Sequence, residues 1–422
     1  MDDTRRAENG AVMPAVAIAV VLQNISGVLH YRPFHSFMNC LRAMRYLVSL
    51  CLMLLSGWSV AAVIVPRAPE LDATAYILLD ADSGKVLVEH NSDQRLPPAS
   101  ITKMLTSYVA IHEMRSGKAN DSTPVPISVN AWKMEGSKMF VREGTEVPMI
   151  DLLRGIIIQS GNDASVAVAE YFAGSEDAFA DWMNMYAERL GMTNSHFENA
   201  TGWPHPEHYS TARDISTLAV HIINDHPDYY PLYSEKYFEY NGINQPNRNR
   251  LLWRDQAVDG LKTGHTEEAG FCLAASAKRD GMRLVAVVMG TRSDSARAQE
   301  TQKLLAYGFR YFETHKLRNA GEVLGEHRVW LGTDNKVQVG LAGELNLTIP
   351  RGMQGELTMD IEMEEYPLAP IAQGQEVGKL VVRKDGEVLD TRPLVALNAI
   401  EESGFVGRLI GHIQLFLARL FG

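Results

Sequence analysis

Residues 97–105 read Pro97-Pro98-Ala99-Ser100-Ile101-Thr102-Lys103-Met104-Leu105. Beyond the two prolines, Ile101, Met104, Leu105, Tyr108 and Ile111 recur at three- and four-residue spacing, and Gly117 supplies a stop. That pattern predicts a helix whose start carries Ser100 and Lys103. Residues three apart on a helix share a face, so the amine can reach the hydroxyl. A serine hydroxyl is a weak nucleophile until a base removes its proton, and a lysine serves when burial or a second cation lowers its pKa. The partial positive charge of a helix start also favours negative charge growing on the serine oxygen. Alone, the tetrapeptide is more commonly an N-capping serine followed by a surface lysine.

Upstream, Tyr76–Leu79 and Val86–Glu89 are short apolar runs around the turn Asp82-Ser83-Gly84, which predicts a β-hairpin. Downstream, Leu152–Ile158, Asp177–Arg189 and Asp214–Ile223 have helical spacing. Strand character returns at Phe271–Ala277 and Leu284–Met289, and a helix over Arg297–Tyr311 closes the region. The expectation is a mixed α/β (α+β) domain over residues 66–318, with sheet strands at both ends of its sequence. From Asn319, short alternating segments such as Val337–Leu341, Glu356–Met363 and Lys379–Arg383 predict a small all-β domain over 319–402. In the last stretch, 403–422, Phe405, Leu409, Ile413, Phe416 and Leu420 share one helical side. Phe405–Gly422 is therefore expected to lie on a membrane surface, the alternative being a helix docked on the body of the protein.

Two further stretches carry chemistry. Ser160-Gly161-Asn162 follows the apolar segment Ile156–Ile158, at a helix end that can project a hydroxyl and an amide into a cleft. A second Ser-x-Asn, Ser128-Val129-Asn130, sits in a Pro-rich strand or turn region and is set aside. Lys262-Thr263-Gly264 precedes the strand Phe271–Ala277, which predicts an edge strand along the cleft. Such a strand aligns an extended peptide by backbone hydrogen bonds, with Lys262 and Thr263 on its terminal carboxylate. Gly264 would let the substrate backbone approach.

Together and in this order, the three motifs resemble those of the low-molecular-mass penicillin-binding proteins that act as D-alanyl-D-alanine carboxypeptidases. The resemblance continues through Asp151-Leu152-Leu153-Arg154-Gly155, Tyr233-Ser234-Glu235-Lys236, Asn247-Arg248-Asn249 and Gly260-Leu261-Lys262-Thr263-Gly264-His265. It implies a transpeptidase/β-lactamase-like domain in which Ser100 is acylated, Lys103 accepts its proton and Ser160 relays a proton. It further implies that Asn162 holds the substrate amide, and that Lys262 and Thr263 bind substrate. The backbone amides of Ser100 and His265 would form the oxyanion hole. Arg248 and Arg297 match arginines on the carboxylate-binding side; from the residues alone, Arg248 is a surface arginine and Arg297 a partner for Glu300. Peptidoglycan stem peptides would be the substrate and β-lactams covalent inhibitors.

Other readings compete. A β-lactamase would present a Glu-Pro-x-x-Asn loop after Ser160, and Glu198-Asn199 does not match it. Murein endopeptidases of the same superfamily usually lack both C-terminal appendages, and a non-catalytic β-lactam sensor would not need Lys103 and Ser160. His205-Pro206-Glu207-His208 lacks the helical two-histidine spacing of a zinc peptidase, so these are read as ordinary loop residues, with no metal and no cofactor expected. A net charge of -11 argues against nucleic acid. Arg42 and Arg45, the apolar run Tyr46–Leu55 and the small residues Ser59, Ala61 and Ala62 have the order of a secretory signal over 38–62, cleaved after Ala61 or Ala62. Residues 1–37 would be an upstream extension, and the exported chain would keep Cys272 as its one cysteine, at the periplasmic face of the cytoplasmic membrane.

Overall fold

The structure is a computed structural model of the full chain and describes residues 65–353 and 357–421. The expected extension and secretory signal lie outside the described residues.

The first hairpin forms as the turn chemistry predicts, from β1 (Ala75–Asp80) and β2 (Val86–His90). Three more strands arrive much later in the chain: β3 (Val258–Thr266), β4 (Gly270–Arg279) and β5 (Met282–Thr291). All pair antiparallel into one sheet of order β2-β1-β5-β4-β3, so β1 meets β5 across most of the domain's sequence and β3 is left as an edge. Every residue of β1 is buried, because the sheet is covered on both sides. Ile77, Val285 and Val287 point into one hydrophobic cluster, and their neighbours Leu78, Leu284 and Ala286 into another, as the two-residue period of a strand requires. Burial on both faces erases the alternation that would mark a half-exposed strand.

The first cluster holds helices α1 (Lys103–Arg115), α2 (Met149–Ile157), α3 (Asn162–Ala173), α4 (Glu176–Arg189) and α5 (Ala212–Asp225). The second is closed by α6 (Asp294–Tyr311), through Leu304, Leu305 and Phe309. Helix α1 is buried nearly all round, with only His112 and Arg115 outside its buried set. The discarded Ser128 caps a single helical turn, accepting a hydrogen bond from the Ala131 amide and donating to Glu170.

Strand β6 (Phe312–Arg318) follows α6 without a break and pairs with β9 (Leu345–Pro350). The second, all-β region therefore begins at Phe312, upstream of the composition change at Asn319. No glycine or proline separates Tyr311 from Phe312, so the sequence holds no punctuation there. Strands β7 (Gly325–Arg328), β8 (Lys336–Gly340), β10 (Leu357–Met363), β11 (Glu376–Lys384) and β12 (Glu387–Ala396) form its main sheet, in the order β7-β8-β12-β11-β10. The turn of the first hairpin holds this region in place. Buried Asp80 accepts the amides of Asp82 and Ser83 and the Thr314 hydroxyl at 2.7 Å, Ser83 meets Thr348 at 2.6 Å, and Arg392 donates to the Ser83 carbonyl.

The chain ends in helix α7 (Phe405–Phe421), of which Leu415 is the one buried residue. Phe405, Leu409, Ile413, Phe416 and Leu420 are all exposed, so the apolar side is not docked on the body of the protein. No helix among the described residues is long and apolar enough to cross a membrane.

Candidate active site

The two prolines are followed by a short 3₁₀ turn, Ala99–Thr102, that runs directly into α1. Ser100 lies in that turn and Lys103 is the first residue of α1, so the amine and hydroxyl meet at 3.1 Å. The Lys103 ammonium also donates to the Asn162 side-chain carbonyl at 2.8 Å and to the Thr201 backbone carbonyl at 2.6 Å. None of its three partners is a carboxylate. With the side chain 1% exposed, the charged form is expensive, since an ion taken out of water loses several kcal/mol of solvation. Burial first, and the Arg248 charge second, lower the Lys103 pKa to about 7. A neutral amine has two N–H groups and one lone pair. The two carbonyls occupy the N–H groups, which leaves the lone pair facing the Ser100 hydroxyl.

The loop between α2 and α3 supplies the second hydroxyl. Ser160 sits there at φ 62°, a left-handed conformation uncommon for a side-chain-bearing residue and often found at functional sites. Its Oγ accepts a hydrogen bond from Lys262 Nζ at 2.9 Å, and Lys262 also donates to the Thr263 carbonyl. Burial and the charge of Lys103 push the Lys262 pKa far below the usual lysine range. Asn162, expected to hold substrate, also contacts the lysine: its carbonyl takes Lys103, one N–H of its amide donates to the Glu135 carbonyl at 2.7 Å, and a second N–H remains. It orients the lysine. Next to it, the Asp163 carboxylate accepts the amides of Met139, Phe140 and Val141, pinning the loop that brings Ser137 to the cleft.

Strand β3 forms the opposite wall, as the edge strand its motif predicts. Thr263, Gly264 and His265 line a cleft of about 400 Å³ together with Ser100, Ser137, Ser160, Arg248, Arg250 and Arg297. Gly264 has a packing reason besides the one expected. A Cβ there would lie 2.8 Å from the Pro98 carbonyl and 3.1 Å from the Ile101 amide, so the missing side chain lets β3 press against the Ser100 turn. Arg248 stands at the rim with no ion-pair partner among the described residues, and partial withdrawal from solvent lowers its pKa. Arg297 is buried, pairs with Asp294 rather than Glu300, and donates to the Gly264 carbonyl at 3.0 Å. Lys103, Lys262 and Arg248 thus converge without carboxylate partners, a field that suits an anionic substrate terminus.

Residues 199–208 support the Ser100 turn from beneath, and sequence reasoning missed them. Asn199 Oδ1 accepts the amides of Thr201, Gly202 and Trp203, curling the loop so that the Thr201 carbonyl meets Lys103. Gly202, at φ 80°, packs its α-carbon against the Ala99 carbonyl, where a side chain would collide. His208, read as an ordinary loop residue, is buried. Its Nδ1 accepts the Glu198 amide, which leaves the proton on Nε2 to donate to Thr102 Oγ1 at 2.8 Å. Burial lowers its pKa to about 4, so it is neutral in ordinary buffers. Glu198 faces His196 and His205 instead of the amine. No group of three or more acidic, histidine or cysteine side chains that could hold a metal occurs among the described residues.

A serine hydroxyl against a buried lysine that lacks a counter-ion, beside an edge strand and a second serine, defines a serine-type acyl-transfer enzyme. A family model described as D-alanyl-D-alanine carboxypeptidase matches residues 62–293, and one described as the C-terminal domain of penicillin-binding protein 5 matches residues 312–402. The D-alanyl-D-alanine carboxypeptidase DacA of Escherichia coli (strain K12) is 43% identical over 366 residues, covering 85% of this chain and 91% of that protein. Penicillin-binding protein 5 of Haemophilus influenzae superposes with a TM-score of 0.76 at 42% identity, over 80% of this chain and 100% of that one. Penicillin-binding protein D2 of Listeria monocytogenes, in its ampicillin-bound form, matches 58% of this chain and 100% of its own at 26% identity and a TM-score of 0.54. The chain belongs to the peptidase S11 family of D-alanyl-D-alanine carboxypeptidases, and it is a serine-type D-Ala-D-Ala carboxypeptidase.

Replacing Thr102 by Val strands the His208 Nε2–H inside the protein, and an unsatisfied buried donor costs about 1–3 kcal/mol. Urea denaturation of Thr102→Val should show a loss of that size, while Thr102→Ser keeps the acceptor and most of the stability.

Proposed function

We propose that Ser100 is the acylated residue and that Lys103 is its base, acting on peptidoglycan stems that end in D-Ala-D-Ala. The observation that carries this reading is the 3.1 Å approach of Ser100 Oγ to a buried lysine without a carboxylate partner. Ser100 Oγ attacks the carbonyl between the two D-alanines as its proton passes to Lys103. The amides of Ser100 and His265 receive the oxyanion. Collapse of the tetrahedral intermediate breaks the C–N bond, and Ser160, held by Lys262, delivers its proton to the departing amine of D-alanine while the proton taken up by Lys103 replaces it. Water then hydrolyses the ester, returning the serine and a shortened stem.

The terminal carboxylate is assigned to Lys262, Thr263 and Arg248. β-Lactams present the same pairing of an amide carbonyl with a nearby carboxylate, the amide being strained by its four-membered ring, so they would form a stable ester with Ser100. The ampicillin-bound relative supports this.

The chain is further proposed to be exported by the segment 38–62 and to work at the outer face of the cytoplasmic membrane, held by α7. Support comes from the exposed apolar side of that helix, with Phe405 at 77% and Phe416 at 64% exposure. A helix lying in the interface uses such a face without spanning.

Three outcomes test this. Ser100→Ala should release no D-alanine from a pentapeptide and take up no penicillin by mass spectrometry; retained release would overturn the assignment. The acylation rate should climb with pH through about 7 and level off above it, because Lys103 accepts a proton only after losing its own; a rate independent of pH from 5 to 9 would exclude Lys103 as base. Removing residues 405–422 should leave an active enzyme that no longer sediments with phospholipid vesicles, and continued sedimentation would refute the anchor.

A further inference from the structure

Arg297 is held far more firmly than a cation that waits for substrate. One terminal nitrogen donates to the Gly264 carbonyl at 3.0 Å, and the other binds Asp294, whose second oxygen takes Arg250 at 2.6 Å. The guanidinium lies 5.6 Å from the centre of the Phe271 ring, and that ring stacks on His265 at 3.9 Å with 28° between planes. Ion pair, carbonyl and ring together fix its position.

The Gly264 carbonyl shares a peptide plane with the His265 N–H. Cis bonds among the described residues fall at Gly260-Leu261 and Ala369-Pro370, so the Gly264–His265 bond is trans and its N–H points opposite to its carbonyl. The strand register gives the side. His265 stands opposite Phe271 on β4, and the Phe271 carbonyl is turned the other way, toward Thr291 Oγ1 on β5 at 2.9 Å. His265 and Phe271 are therefore a non-hydrogen-bonded pair, and in such a pair the N–H faces away from the partner strand. On an edge strand that direction is the cleft.

We propose that Arg297 is a positioning residue for the oxyanion: it orients and polarises the Gly264–His265 peptide, whose N–H receives the charge of the tetrahedral intermediate. This rests on the acyl-enzyme reading above and deepens it. A cation on the carbonyl draws electron density through the amide and sharpens the N–H as a donor. Such coupling strengthens a neighbouring hydrogen bond by about 10–30%. Losing an oxyanion donor outright costs about 10²–10³ in kcat. Losing the support of one donor should therefore cost less, about tenfold.

The test uses the full chain and a β-lactam carrying ¹³C at the carbonyl that becomes the ester. In infrared difference spectra, the acyl-enzyme ester of Arg297→Gln should stretch at higher frequency than wild type, with Arg297→Lys in between. On an acyl-D-alanyl thioester without a terminal carboxylate, Arg297→Gln should lose about tenfold in kcat at unchanged KM. If the stretch and the thioester kcat stay at wild-type values while KM rises for carboxylate-bearing peptides alone, Arg297 is a carboxylate ligand and the proposal fails. Should Arg297→Gln not fold, Asp294→Asn loosens the same guanidinium, and an unshifted ester stretch there overturns the idea equally. A wild-type protein in which the label does not attach to Ser100 would instead defeat the acyl-enzyme reading, leaving the Arg297 contacts untouched.

Discussion

Everything in the site turns on a lysine amine buried without a carboxylate. A buried ammonium next to an aspartate would be a stable ion pair and a poor base, because the pair stabilises the charged form. Here two carbonyls, from Asn162 and Thr201, satisfy the amine as hydrogen-bond acceptors without offering a full negative charge. Arg248 then adds a second positive charge that presses the proton off. The price of withdrawing Lys103 from water is met by the packing of α1, whose length is buried against helices on several sides.

That constraint explains why so many separate segments bear on one turn. Asn199 curls the loop that offers the Thr201 carbonyl, Gly202 lets the loop approach Ala99, and His208 braces Thr102 from below. On the other side, β3 can come close only because Gly264 has no side chain to meet Pro98 and Ile101. The hydroxyls of Ser100 and Ser160 are each paired with an amine of lowered pKa, so each can change partner during a proton transfer. The strand edge between them supplies fixed amides that water could not replace without reorganising.

Among the described residues, the second domain contributes none to the cleft, yet it is joined to the sheet that builds it. Asp80, at the end of β1, ties its own turn to Thr314 on β6, and Arg392 reaches the same turn from β12. The terminal helix leaves its apolar side bare, which separates its role from the packing that stabilises the two domains.

Much of this was present in the linear chain. Local spacing alone revealed the helix after Pro98, the first hairpin, the edge strand at Lys262 and the apolar side of Phe405–Gly422, because these depend on neighbours within a few residues. The three motifs identified the chemistry, since Ser100 and Lys103 share a turn by covalent distance. The domain boundary at Phe312 was not legible, for α6 enters β6 without a turn residue. Nor was the work of His208, Asn162, Gly264 and Arg297, because each is defined by a partner tens or hundreds of residues away. The same holds for the pKa of Lys103: desolvation belongs to the packed state, and only the fold decides which side chains lose water together.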